Sequence, residues 1–239
     1  MKSNLGIIEM LRRVFFLPLM RVLKHSPKIK NFLKKVQYQA SAFKHYREYH
    51  NFNFDIHLAN TKNTNLEIKG INSKLLPVLT NARFSDGTLL GLIRDGRLIP
   101  HDNDVDIDVE YASKNVKAIL EYAKNLNWTL GRKVEYFNRI QQLTFYDDHN
   151  DIYDFIFWSV DKRFCINFSE PGSYRVMPSE YLNDLKNIEV IELGLITLVP
   201  RKTKEWAIYR YGSSWDVPEG SKGAWQETCG DIGDAWWIT

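Results

Sequence analysis

Asp102, Asp104, Asp106 and Asp108 occupy every second position of HDNDVDIDVEY, and Val105, Ile107 and Val109 fill the gaps between the last of them. An alternation of period two is a strand with two unlike faces, on which neighbours of one face lie about 7 Å apart. The apolar trio belongs in a core and the acids crowd the opposite face. Like charges so placed disfavour one another. Two arrangements tolerate them: water solvates an acidic edge, or a divalent cation neutralises it. A hard cation such as Mg²⁺ takes oxygen ligands, usually one or two carboxylates together with substrate phosphates.

The residues upstream fit the second arrangement. Asp86-Gly87-Thr88 immediately precedes the helical run TLLGLIR (88–94). Gly87 permits close backbone approach, and a helix N-terminus offers N–H groups to an anion, so Gly87 and Thr88 form a candidate phosphate-side turn. Arg94 and Arg97 lie between that turn and the acidic strand. A phosphate turn, arginines and paired carboxylates make a constellation for phosphoryl chemistry, in which metal ions bridge phosphate oxygens and positioning does most of the catalysis. Asp154 interrupts the apolar run IYDFIFW (152–158). Buried acids are rarely left unpaired, so Asp154 faces either a metal or a base; a salt-bridged core aspartate is the alternative.

The elements that must hold these residues are both helical and extended. Residues 66–82 read as a helix blemished by Gly70 and Pro77, and RFS (83–85) as a short strand. Residues 105–111 alternate as a strand, and Ser113 is a good N-cap for a helix over 114–126. Strands are predicted over 133–137, 140–146, 152–158 and 163–168, and two more on either side of Gly194, over 188–193 and 195–200. Short helices are predicted over 178–185 and 201–212, the second closed by Gly212. The tail from 213 reads as a loop wrapping the core.

The chain has 239 residues, a hydrophobic fraction of 44% and seven tryptophans, which is the composition of a globular protein. Its net charge of +3 conceals a split. Residues 1–50 hold eleven Lys or Arg against two Glu, a net +9, and the remainder is acidic by 6. Cys165 and Cys229 show no paired spacing, so neither a disulfide framework nor a zinc site is indicated. The segment LGIIEMLRRVFFLPLMRVL (5–23) is apolar, but Arg12 and Arg13 argue against a spanning helix. Helical spacing puts Ile7, Ile8, Leu11, Val14, Phe15, Leu19, Val22 and Leu23 on one side. With the basic stretch at 24–35, this reads as a helix lying on an anionic membrane surface; packing on the protein's own core is the alternative. Residues 1–50 thus read as a basic amphipathic helical arm, 51–65 as a polar linker and 66–239 as a catalytic domain.

DGTLLGLIRDGRLIPHDNDVDID (86–108) closely resembles the signature of the LicD/fukutin family, which typically reads D/G-G-T-L-L-G-x-x-R, a few residues, then I-P-W-D-D-D-I-D. Asp154 in YDFIF resembles the family's following D-I-F element, and 199–218 its V-P … YG-x-x-W-x-x-P element. The resemblance covers roughly residues 66–218 and implies a nucleotidyltransferase-type fold. It also implies transfer of a phosphorylated alcohol or sugar from a nucleotide-linked, CDP-type donor onto a glycan or lipid-linked glycan. Mapped by motif, Gly87 and Thr88 match the phosphate-side turn, Asp104 and Asp106 the paired metal carboxylates, and Asp154 the third. Mg²⁺ or Mn²⁺ is the implied cofactor. His101 stands where Trp is common and Asn103 replaces the middle of three aspartates. Asp108 is extra, either a supporting or a surface charge. Tyr211, Trp215 and Pro218 contact a base or glycan, or else pack in the core. Arg201, with Lys202 and Lys204, begins a helix whose dipole disfavours cations, which points to a facing anion; a solvated basic face is the alternative.

The combined expectation is an α+β, nucleotidyltransferase-like mixed sheet packed by helices, acting on the cytoplasmic side of a membrane as a peripheral phosphotransferase. Two rivals remain. One transfers NMP from an NTP to a small molecule or protein. The other is a non-catalytic module whose basic arm binds nucleic acid. The arm's apolar periodicity offers no aromatic stacking platforms, so no nucleic-acid partner is expected.

Overall fold

Residues 45–50, 67–100, 102, 104–168, 174–218 and 232–233 are described by the computed structural model, and they fold as α+β. Nine strands join one sheet: β1 (Tyr46–His50), β2 (Ala82–Phe84), β3 (Asp104–Glu110), β4 (Thr129–Tyr136), β5 (Arg139–Tyr146), β6 (Ile152–Val160), β7 (Phe164–Asn167), β8 (Tyr174–Pro178) and β11 (Ile232–Gly233). β9 (Leu185–Val190) and β10 (Leu195–Pro200) form a separate hairpin. The helices are α1 (Asp86–Arg94), α2 (Ser113–Asn125), α3 (Glu180–Asn183) and α4 (Thr203–Tyr211).

The sheet runs β1-β4-β5-β6-β7-β8-β11, with β3 paired to β6 and β2 outside β3. Among the described residues only β3 and β6 run parallel, which needs a long crossover; here α2, β4 and β5 supply it. Val105, Ile107 and Val109 are fully buried, in one cluster with Ile68, Ile71, Leu75 and Ile119. Burying three such side chains contributes on the order of 5–9 kcal/mol, enough to hold β3 in place although its other face carries acids. On β6, Tyr153 stacks on Trp128 with ring centroids 3.9 Å apart, and Phe155 and Phe157 are fully buried.

Several elements differ from expectation for identifiable reasons. The helix expected over 66–82 widens into a π-type turn at Ile71–Leu75 and tightens to 3₁₀ at Leu76–Val78, where Pro77 lacks an N–H. Ser113 is the first residue of α2, and no side chain caps that helix. The strand expected to reach 193 ends at Val190, because Ile191–Leu193 coil into a 3₁₀ turn closed by Gly194 at φ +59°. Tyr46–His50, assigned to the basic arm, is an edge strand antiparallel to β4, with Tyr46 opposite Tyr136 and His50 opposite Arg132. Residues 1–44, the linker at 51–65, His101, Asn103 and most of the tail, including Cys229, lie outside the described residues. No described helix is long and apolar enough to cross a membrane.

Candidate active site

Parallel pairing puts Asp106 directly opposite Asp154, and Asp104 one pleat away on the same face of β3. One carboxylate oxygen from each of Asp104, Asp106 and Asp154 lies within 4.8 Å of the other two. Burial, then the charges of Asp102 and Asp154, pushes the Asp104 carboxyl up to about 8. Burial and the charges of Asp104 and Asp86 push Asp106 well above the usual carboxylate range. Asp154 is raised by burial, and hydrogen bonds from Thr144 and Gln142 partly offset the rise. Three carboxylates that resist joint ionisation, offering only oxygen donors, are a donor set suited to a hard divalent cation. A second acidic group, Asp147–Asp148–His149, is an exposed turn. There Asp147 Oδ1 accepts from the backbone N–H groups of His149 and Asp151.

α1 stands against this cluster. The Thr88 hydroxyl accepts from the Asp106 backbone N–H at 2.9 Å and is fully buried. Thr88 thus pins α1 to β3 and positions Asp106; its hydroxyl does not line the cleft as a phosphate ligand would. Gly87 does line it. A Cβ on Gly87 would stand 2.1 Å from Asp102 Oδ2, so only glycine admits both the turn and that carboxylate. We expect Gly87→Ala to displace Asp102 or α1 and to weaken Mn²⁺ binding measured by calorimetry, with the unfolding midpoint changed by no more than a few degrees. Wild-type affinity in this variant would show that the close approach is dispensable. Gly91 has a similar constraint from the other side, since its Cβ would meet the Arg97 carbonyl at 2.5 Å.

The carboxylates open into a cleft of about 500 Å³, whose walls also carry Arg94, Arg132, Arg175, Arg210, Gln142 and Tyr211. Asp86, at the N-terminus of α1 with φ +41°, accepts from Arg210 Nε at 2.7 Å and Arg175 Nη2 at 3.1 Å. Burial alone would raise its carboxyl, but these two guanidiniums hold it well below the usual range. One anion therefore fixes two cations at the rim of an acidic cluster.

The structure gathers some predicted site residues here and places others elsewhere. Asp104, Asp106, Asp154, Gly87, Arg94 and Tyr211 all line the cleft. Arg94 is bound bidentately by the adjacent Asp95, at 2.9 and 2.7 Å. Arg201 does not face the cleft: it bonds Asp184 at 2.8 Å and the Leu185 carbonyl at 3.2 Å on the exposed side of the β9–β10 hairpin. Its cation at a helix start is explained by Asp184. Trp215 packs against the hydrophobic core, as does one side of Tyr211. Asp108 is a buried ion pair with Arg83 at 2.8 Å and also accepts from Trp158 Nε1 at 2.7 Å. Arg132, Gln142, Arg175 and Arg210 had not been singled out. Arg210, flanked by two tyrosines in IYRYG, carried the one local signal: a cation at a buried helical position.

An α+β domain with three clustered carboxylates in an arginine-walled cleft offers oxygen donors suited to a divalent cation beside guanidiniums suited to an anion. Residues 83–201 match the family model described as LicD/FKTN/FKRP, nucleotidyltransferase domain, and the chain belongs to that family. The family is one of transferases, generally metal-dependent, acting in glycan modification. No curated protein matches the chain.

Proposed function

We propose that the protein is a metal-dependent phosphotransferase of nucleotidyltransferase-like fold. It moves a phospho-alcohol or phospho-sugar group from a CDP-type donor onto a cell-surface glycan or its lipid-linked precursor. The observation that carries this reading is the oxygen cluster of Asp104, Asp106 and Asp154 facing guanidiniums across one cleft. Those three residues would hold Mg²⁺ or Mn²⁺, which when bound neutralises phosphate oxygens and polarises the transferred phosphorus. Arg175 and Arg210, prearranged on Asp86, face the remaining phosphate charge. Gly87, packed against the Asp102 carboxylate, leaves the cleft wall at the start of α1 without a side chain of its own. Tyr211 and Pro218 give the cleft an apolar wall for base or glycan. In the transfer, the bond from phosphorus to the nucleotide oxygen breaks, releasing CMP. A bond from phosphorus to the acceptor oxygen forms, and the acceptor proton leaves to a carboxylate or water.

Nucleotide-linked donors screened for thermal stabilisation test the reading. A ligand bound only by the folded state contributes RT ln(1 + [L]/Kd), so a CDP-linked donor should stabilise with Mg²⁺ and not with EDTA. Release of pyrophosphate from an NTP, in place of CMP, would instead establish NMP transfer.

The arm belongs to the same proposal. Residues 5–35 combine apolar residues at helical spacing with a run of lysines, so full-length protein should float with anionic vesicles, less so at high salt. A variant lacking residues 1–44 should stay at the bottom of the gradient. Full-length protein that fails to float would remove the peripheral-membrane assignment.

A further inference from the structure

A line of side chains crosses four neighbouring strands and ends on Asp154. Glu48 on β1 accepts from Arg132 Nε on β4 at 2.6 Å. Arg132 Nη1 donates to Gln142 Oε1 on β5 at 3.1 Å, and Gln142 Nε2 donates to Asp154 Oδ1 on β6 at 3.1 Å. Glu48 is itself held by the Tyr46 hydroxyl at 2.8 Å and by His50 at 3.0 Å, both on β1.

The chemistry of each link has one sense. A guanidinium has only donors, whereas a carboxamide presents one donor end and one acceptor end. Arg132 therefore requires the Gln142 oxygen, which turns the Gln142 NH₂ toward Asp154. The reversed amide would set its oxygen against the Asp154 carboxylate and its NH₂ against Arg132, and both contacts would repel. The Thr144 hydroxyl also bonds Asp154 Oδ1, so both donors meet the same oxygen. Oδ2 carries no such bond among the described residues and is left for a cation. On the metal reading, a fixed amide would thus select which Asp154 oxygen is offered to the cation.

We infer that Glu48, Arg132 and Gln142 are positioning residues, and that the docked edge strand β1 sets the ligand geometry of Asp154 through them. The inference rests on the reading of Asp154 as a metal ligand. It gives β1 a role in the site that a mere sheet edge does not have.

Mn²⁺ affinity of the full chain, read from the electron paramagnetic resonance signal of free Mn²⁺, tests it. Gln142→Leu is expected to weaken binding about tenfold, the low end for groups that orient a metal ligand, and Glu48→Ala by a smaller factor of about three. The decisive variant is the double one: in a Gln142→Leu background, Glu48→Ala should add nothing, because its route to Asp154 is already cut. Arg132→Lys keeps the charge but not the planar fork and should weaken binding as Glu48→Ala does, which covers the case in which one variant folds poorly. Tyr49→Ala removes a different β1–β4 contact, the ring beneath Lys133, and should leave affinity unchanged. Unchanged affinity in both Glu48→Ala and Arg132→Lys, additive losses in the double variant, or an equal loss in Tyr49→Ala would each overturn the inference. Asp154→Asn separates the two levels. If wild type binds Mn²⁺ and Asp154→Asn does not, the metal reading stands whatever Glu48 does. If wild type binds none, the metal reading falls and the positioning role with it.

Discussion

Asp106→Asn should lower turnover about a thousandfold, since on the proposed reading it removes a metal ligand worth several kcal/mol of transition-state charge stabilisation. The same change raises the stability of the metal-free protein. Asp106 is buried beside Asp104 and Asp154, and without a cation its charge is a net cost. The pH dependence follows from Asp104, whose carboxyl moves from 3.8 up to about 8 on folding. Between those values the folded state retains a proton that the unfolded chain has released. In EDTA the Asp104 contribution to stability is therefore fully present below the unfolded value and is lost as pH rises toward about 8. Asp104→Asn should flatten that slope, and excess Mg²⁺ should oppose it. Denaturant titrations at several pH values, with and without Mg²⁺, measure both effects. Undiminished metal-dependent turnover in Asp106→Asn would remove the site assignment.

Arg83→Met should cost about 3–5 kcal/mol, the range for breaking a buried ion pair by removing one partner. Arg83 is fully buried. It donates to the Tyr181 and Phe84 carbonyls at 2.7 and 2.8 Å as well as pairing with Asp108. Burial pushes Arg83 down and Asp108 up, each toward its neutral form, with their mutual attraction opposing both shifts. Removing the cation strands the Asp108 charge, with Trp158 Nε1 still donating to it. Adding Asp108→Asn keeps an acceptor for Trp158 and removes the charge, so the double variant should recover a large part of the loss. A cost below about 1 kcal/mol, the ordinary worth of an exposed pair, would show that water reaches Asp108.

β3 was legible because its alternation encodes two faces in consecutive residues, and Asp154 because an acid in an apolar run needs a partner. Helix and strand types were read correctly where the period was long. They were misread where one residue decides, as at Pro77 and Ile191–Leu193. Two arginines of the cleft, Arg175 and Arg132, were not legible for a different reason. Arg175 sits in SYRVMP and Arg132 in TLGRKVEY, where nothing local separates a cleft cation from a surface one. Only the folded sheet brings them to Asp86 and Glu48. Arg201 shows the converse error: a cation at a helix start suggested a substrate anion, and the anion is Asp184. Tyr46–His50 was absorbed into the basic arm because its charges masked the alternation. β4 supplies the pairing that makes it a strand.

The parallel junction of β3 with β6 has a consequence in time. β3 is made early in the chain and β6 only after α2, β4 and β5, so the acids of β3 exist for an interval without the strand that completes their cluster. Non-local pairings of this kind form late because loop closure precedes their reward. A divalent cation held by these acids would then recognise only the closed sheet, as a latch on the finished fold and not as a template for it. It should slow unfolding and leave the rate of refolding unchanged.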